Sequence, residues 1–143
     1  MPSSRATAKA KRVRNTLRKS EILRGYSVFS DILKHGEFAQ SPGLHCHFKK
    51  RQREATTSAV RIGFAVPRRK VARAADRNRL KRLMREAFRN NKAGLCDAIS
   101  KRDFQIDIIL VLRISQETEI RRIRYTAVER DLNDVMSKII SMV

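Results

Sequence analysis

The sequence predicts an α+β protein, a small mixed sheet packed with helices. Three observations carry that expectation. "LHCHFKK" (44–50) and "RIGFAV" (61–66) alternate apolar and polar residues as strands do, and "FQIDIILVLRI" (104–114) holds the longest apolar run. Residues 17–35, 76–91 and 117–143 instead repeat their apolar residues at helical spacing. With 143 residues, 41% of them hydrophobic, one domain with a real core is expected.

The elements follow in order. Residues 1–16, "MPSSRATAKAKRVRNT", are small, polar and basic with little to bury, and read as a disordered arm ahead of a single domain at 17–143. A mitochondrial-type transit peptide has a similar composition. In 17–35, Tyr26, Phe29, Ile32 and Leu33 form one stripe; Ser20 is a candidate cap, Gly25 a possible break and Gly36 a stop. Residues 37–43 read as loop. In 44–50, Leu44, Cys46 and Phe48 take one face, and His45, His47 and Lys49 the other. "KRQREATTSA" (50–59) is an exposed connection.

In 61–66, Ile62, Phe64 and Val66 share a face. Arg61, Gly63 and Ala65 form the other, which is low in bulk and open to close approach by a ligand backbone or another element. Pro67 ends that strand. Residues 108–112 are apolar on both faces, so the last strand is expected to be covered on both. If 61–66 and 104–114 pair in parallel, they form a βαβ unit with the intervening helix, right-handed by default.

Charge sets the class of partner. The net charge is +19, from 33 Lys+Arg against 14 Asp+Glu. So large an excess destabilises a compact chain unless a polyanion neutralises it; nucleic acid comes first and an anionic membrane second. No apolar run approaches the roughly 20 residues of a membrane span. Cys46 and Cys96 form no CxxC or Cys/His cluster, which suits a reducing cytosol, and no apolar signal core opens the chain.

The charge concentrates in "DRNRLKRLMREAFRNN" (76–91) and the residues before it. From Arg68 to Arg89 there are ten Lys+Arg, eight of them arginine, against Asp76 and Glu86. At about 100° per residue, Leu80, Leu83, Met84, Ala87 and Phe88 share one side, with Asn78, Arg82, Arg85 and Arg89 nearly opposite. The like-charge pairs Arg77/Lys81, Lys81/Arg85 and Arg85/Arg89 are each unfavourable by a few tenths of a kcal/mol in an isolated helix. A solvated helix face mixes signs, whereas a repeated like-charge pattern expects an anion. A membrane-surface helix needs its apolar face free for lipid, but here the strands need that face for a core. Arginine's planar fork suits phosphate and stacks on bases.

Catalytic apparatus is not evident. His45 and His47 share a face, but Cys46 points away and no carboxylate completes a metal site. Asp97, Asp103 and Asp107 are too scattered to argue for a two-metal nuclease, and Asp107 is expected to pair with a basic residue.

The segments "RNRLKRLMREAFR" (77–89), "RIGFAVPRRKVARAADRNR" (61–79), "LRKSEILRGYSVFSDILKHG" (17–36) and "DFQIDIILVLR" (103–113) resemble the protein subunit of bacterial ribonuclease P over roughly residues 17–140. The resemblance implies a ribosomal-protein-like fold whose βαβ crossover is left-handed, overriding the default. It implies a non-catalytic cytoplasmic subunit that binds a catalytic RNA, one to one. Together they would remove the 5′ leader of precursor tRNA with Mg²⁺ held mainly by the RNA. Carried over, Arg77, Asn78, Arg79, Lys81, Arg82 and Arg85 face the catalytic RNA. Phe29, Leu33, Lys34, Phe64, Arg68 and Arg69 line a leader cleft between the first helix and the sheet. Leu33 stands where family members often carry a second aromatic, and Tyr26 is a candidate to compensate. A ribosomal-type RNA binder is the main alternative, followed by a DNA-binding module and a stand-alone nuclease.

Overall fold

The structure is a computed structural model, and residues 17–54, 58–115 and 119–143 are described. The arm expected at 1–16 lies outside the described residues, as do 55–57 in the expected connection and 117–118 at the start of the last expected helix.

Four helices and four strands follow in the order α1 (Tyr26–His35), β1 (Glu37–Gln40), β2 (Leu44–Gln52), β3 (Val60–Ala65), α2 (Ala74–Asn91), α3 (Ala93–Ser100), β4 (Phe104–Leu112) and α4 (Tyr125–Met142). Short 3₁₀ turns at Lys19–Glu21 and Ile120–Arg122 precede the first and last helices. The sheet order is β1-β2-β4-β3. β1 with β2 and β2 with β4 pair antiparallel, while β3 and β4 pair in parallel, so β3, α2, α3 and β4 make the expected crossover unit.

Four boundaries differ from the sequence-based expectation. The first helix begins at Tyr26, because Gly25 holds φ +100°, a left-handed backbone that a helix cannot contain and a side chain rarely adopts. Upstream, Ile22 bridges Ile62 in parallel and the Leu23 amide donates to the Ile62 carbonyl at 2.9 Å, so the N-terminal segment lies along the exposed edge of β3. Residues 37–40 form strand β1, not a loop, with only Ala39 turned inward. Residues 93–100, which carry no clear periodicity, form α3, directly after α2. The last helix begins at Tyr125, after the 3₁₀ turn.

Alternation then sorts the sheet into two faces. Leu44, Cys46, Phe48, Val60, Ile62, Ile106, Ile108, Leu110 and Leu112 join Leu80, Met84, Phe88, Leu95, Ile99, Leu132, Val135 and Ile139 in the main core, beneath α2, α3 and α4. Each such side chain contributes about 1.5–3 kcal/mol by leaving water. The opposite face carries a smaller cluster, Leu23, Ile32 and Ile109, beneath α1. β4 is therefore covered on both sides, as its apolar run requires.

Candidate nucleic-acid interface

Two surfaces emerge from this arrangement. The first is the outer face of α2. Leu80, Met84, Ala87 and Phe88 are buried, which turns Asn78, Arg82 and Arg85 to solvent with Lys81 half-exposed beside them. Asn78, Lys81, Arg82 and Arg85 thus form one outward row. Arg89 is held by Glu86 at 2.6 Å. Arg85 also places its guanidinium 5.9 Å from the Phe64 ring centre, close enough for a cation–π contact.

Arg77 and Arg79 behave differently from that row. Arg77 is half-buried, and its guanidinium donates to the carbonyls of Val71 (2.9 Å) and Ala72 (2.7 Å), tying down the segment that leads into α2. Arg79 reaches the turn before α4 and donates to the carbonyls of Ile120 (3.2 Å) and Ile123 (2.7 Å). Both arginines act first as clamps on backbone carbonyls.

The second surface lies on the face that carries α1. Phe29 sits on Gly63 and Ile32 is buried, whereas Tyr26 and Leu33 stay exposed. Lys34 is exposed at the end of the helix. The strand register places Gly63, Ile109 and His47 in one row across the sheet and Ala65, Val111 and His45 in the next. Phe38 from β1 completes an aromatic group with those histidines; ring centres lie 5.4 Å (His45) and 5.2 Å (His47) from Phe38 and 5.6 Å apart. Arg68 and Arg69 are exposed in the turn after β3, which is anchored by the buried Val71 and its amide bond to the Pro67 carbonyl at 2.9 Å.

Phe64, expected beside Phe29, is on the opposite face. It packs edge-on against Phe88, 6.3 Å between centres, beneath α2. Phe38 escapes sequence reasoning, because its strand reads as loop. The available signal is the alternation in "EFAQ", with Phe38 outward and Ala39 buried.

Electrostatics separate these surfaces from the supports beneath them. Burial holds both imidazoles below the ordinary histidine value, and for His45 the charges of His47 and Arg113 add to it. They are therefore neutral at neutral pH. Asp107 is buried in the middle of the sheet. Its carboxylate accepts two bonds from Arg61 (2.9 and 2.8 Å) and one from Arg51 (2.9 Å), in line with the basic partner expected from the sequence. Asp31 on α1 pairs with Lys49 at 2.6 Å, and this bond lowers its pKa. Lys92 reaches Glu21 at 2.6 Å in a buried pair that fastens the N-terminal turn to the α2–α3 junction.

Burial pushes the Cys46 thiol up to about 12 and the Cys96 thiol up to about 11, so both stay protonated and unreactive at neutral pH. No group of three His, Cys, Asp or Glu side chains comes together among the described residues. Among them, too, no helix is long and apolar enough to cross a membrane.

Fold and surfaces together define a small, strongly basic α+β domain with a cationic helix on one face of the sheet and, on the other, a group of aromatic rings beside α1. Comparison with known proteins places that class. A family model described as Ribonuclease P matches residues 17–140, and the chain belongs to that family. It is 40% identical over 88 residues to the ribonuclease P protein component of Chlorobium phaeobacteroides, covering 58% of this chain and 60% of that one. It is 35% identical over 105 residues to that of Chlorobaculum tepidum, covering 69% and 68%. The match thus spans only 60% of the first relative's length. The fold superposes on the ribonuclease P protein of Thermotoga maritima with a TM-score of 0.64 and 29% identity, over 82% of this chain and 96% of that one. The Staphylococcus aureus protein, at 19% identity and TM-score 0.62, shares the fold.

Proposed function

We propose that this chain is the protein subunit of a ribonuclease P. It would bind the catalytic RNA and the 5′ leader of precursor tRNA and assist the endonucleolytic removal of that leader. The observation that carries the reading is the outward row Asn78, Lys81, Arg82 and Arg85 on a helix whose other side is core, in a chain of this family. The row neutralises phosphates of the catalytic RNA and lets two polyanions approach. The leader lies in a trough beside α1. Leu33, Tyr26 and Phe29 wall it, His45, His47 and Phe38 offer flat faces to its bases, and Lys34, Arg68 and Arg69 meet its phosphates. Phe64 supports Arg85 from below instead of touching the leader.

Among the described residues no three His, Cys, Asp or Glu side chains come together, so those residues do not fit a magnesium site of clustered carboxylates. We therefore assign Mg²⁺ to the RNA. The same reading makes the complex one protein to one RNA, cytoplasmic, and the crossover through α2 left-handed.

Reconstitution tests it. The chain is mixed with a bacterial ribonuclease P RNA and 5′-labelled precursor tRNA at low Mg²⁺, where the RNA alone is nearly inactive. Cleavage that requires both components is expected. Tight RNA binding without cleavage would indicate a ribosomal-type binder, and cleavage by the protein alone a nuclease.

A further inference from the structure

Arg79 holds more than a turn. Its guanidinium donates to the carbonyls of Ile120 (3.2 Å), Arg121 (3.5 Å) and Ile123 (2.7 Å), so one side chain of α2 sets the path of the backbone that carries Arg121, Arg122 and Arg124. All three of those arginines are exposed. Beyond them lies a groove of about 400 Å³ between the end of β4, the β1–β2 turn and the first turns of α4. Arg113, Arg122, Arg124 and Arg130 line it. Arg113 is steadied by a bond to the Ser41 carbonyl at 3.1 Å, and Arg122 by an exposed pair with Glu119 at 2.8 Å. Asp131 is the one acid in the lining; it is buried beside Gly43, and Arg130 reaches its carboxylate at 3.6 Å. No acid sits in the first turn of α4 to offset the arginines. Glu119 and Asp131 answer two of the four guanidinium groups, and the groove keeps a net positive charge that an anion would neutralise.

We infer that this groove is a second phosphodiester-binding site, occupied by the same catalytic RNA that covers α2, and that Arg79 is the positioning residue joining the two. The chemistry fits a phosphate backbone: planar forks converge on a groove open at the surface. The inference rests on the function proposed above and extends its RNA-binding surface from α2 to the start of α4.

The test is direct RNA binding by the full chain as a function of salt. Arg122→Gln/Arg124→Gln/Arg130→Gln removes three charges from exposed side chains and leaves the core untouched. With the catalytic RNA, the slope of log affinity against log salt is expected to fall by about 2–3, at roughly 0.9 for each phosphate that is no longer neutralised. An unchanged slope would overturn the site, as would a weakening seen only with precursor tRNA. Arg79→Met is expected to weaken binding in the same direction, and to add little when combined with the triple variant. Full additivity would mean that Arg79 touches RNA itself and would overturn its positioning role. Lys81→Gln/Arg82→Gln/Arg85→Gln is the control. If that variant loses affinity and the groove variant does not, this inference alone fails; if neither loses affinity, the proposed function fails with it.

Discussion

The ring of Phe29 lies against the backbone of Gly63. A Cβ at position 63 would collide with Cζ at the tip of that ring, with Cε2 at 3.0 Å and Cε1 at 3.3 Å. This packing sets how closely α1 approaches the sheet. Gly63→Ala should destabilise the fold by about 1–3 kcal/mol, the usual range for an overpacked site. In a strand with no ring above it the same change would be neutral or mildly favourable, since glycine weakens strands. Denaturant unfolding decides the sign, and Gly63→Ala in a Phe29→Ala background should lose most of its cost.

The Asp107 carboxylate is the one charge placed inside the sheet, between Arg61 on β3 and Arg51 on β2. Asp107→Asn removes the charge that keeps two guanidinium groups side by side. Breaking a buried pair costs about 3–5 kcal/mol, and the lower end applies here because both arginines retain some exposure. Arg51→Ala should cost about 1 kcal/mol, because Arg61 still binds the carboxylate through two bonds. A shift of the urea midpoint at unchanged slope would measure both.

How far the sequence speaks depends on whether a feature is local. The buried side of α2 is legible because five apolar residues recur at helical spacing, and the double cover of β4 because its apolar run fills both faces. The low-bulk face of "RIGFAV" is legible as a place of close approach, though not that Phe29 would fill it. The alternation in that same segment separates Phe64 from Gly63; the family resemblance, applied residue by residue, puts Phe64 in the cleft all the same. Arg77 and Arg79 look like any other cations of the helix. Their bonds run to carbonyls outside the helix, those of Arg79 more than forty residues away in sequence, which no spacing rule encodes. β1 stays hidden because four residues carry too short a period to stand out from a loop.

The paired histidines predict a pH dependence. Both imidazoles are held below the ordinary histidine value, chiefly by burial. As pH falls below about 6.5, the unfolded chain takes up protons that the folded chain resists, so stability declines from there down to the folded-state values. The melting temperature should fall between roughly pH 7.5 and 5.5, above the range where carboxylates titrate. His45→Gln/His47→Gln should flatten that decline. An equal decline in the double variant would place its origin elsewhere.

Phe38 offers the sharpest separation of leader binding from folding. Its side chain is 45% exposed, so its removal should alter stability little. Its ring nonetheless sits among His45 and His47 on the trough floor, where stacking on a base is worth about 1–3 kcal/mol. Phe38→Ala should therefore weaken the affinity of the reconstituted enzyme for precursor tRNA by roughly five- to 150-fold. Affinity for leaderless tRNA and for the catalytic RNA should not change, because under the proposed function only the leader would place a base against Phe38. Phe38→Tyr should restore binding, since it keeps the flat face. Equal weakening with and without the leader would instead show that Phe38 shapes the protein and does not stack on the leader.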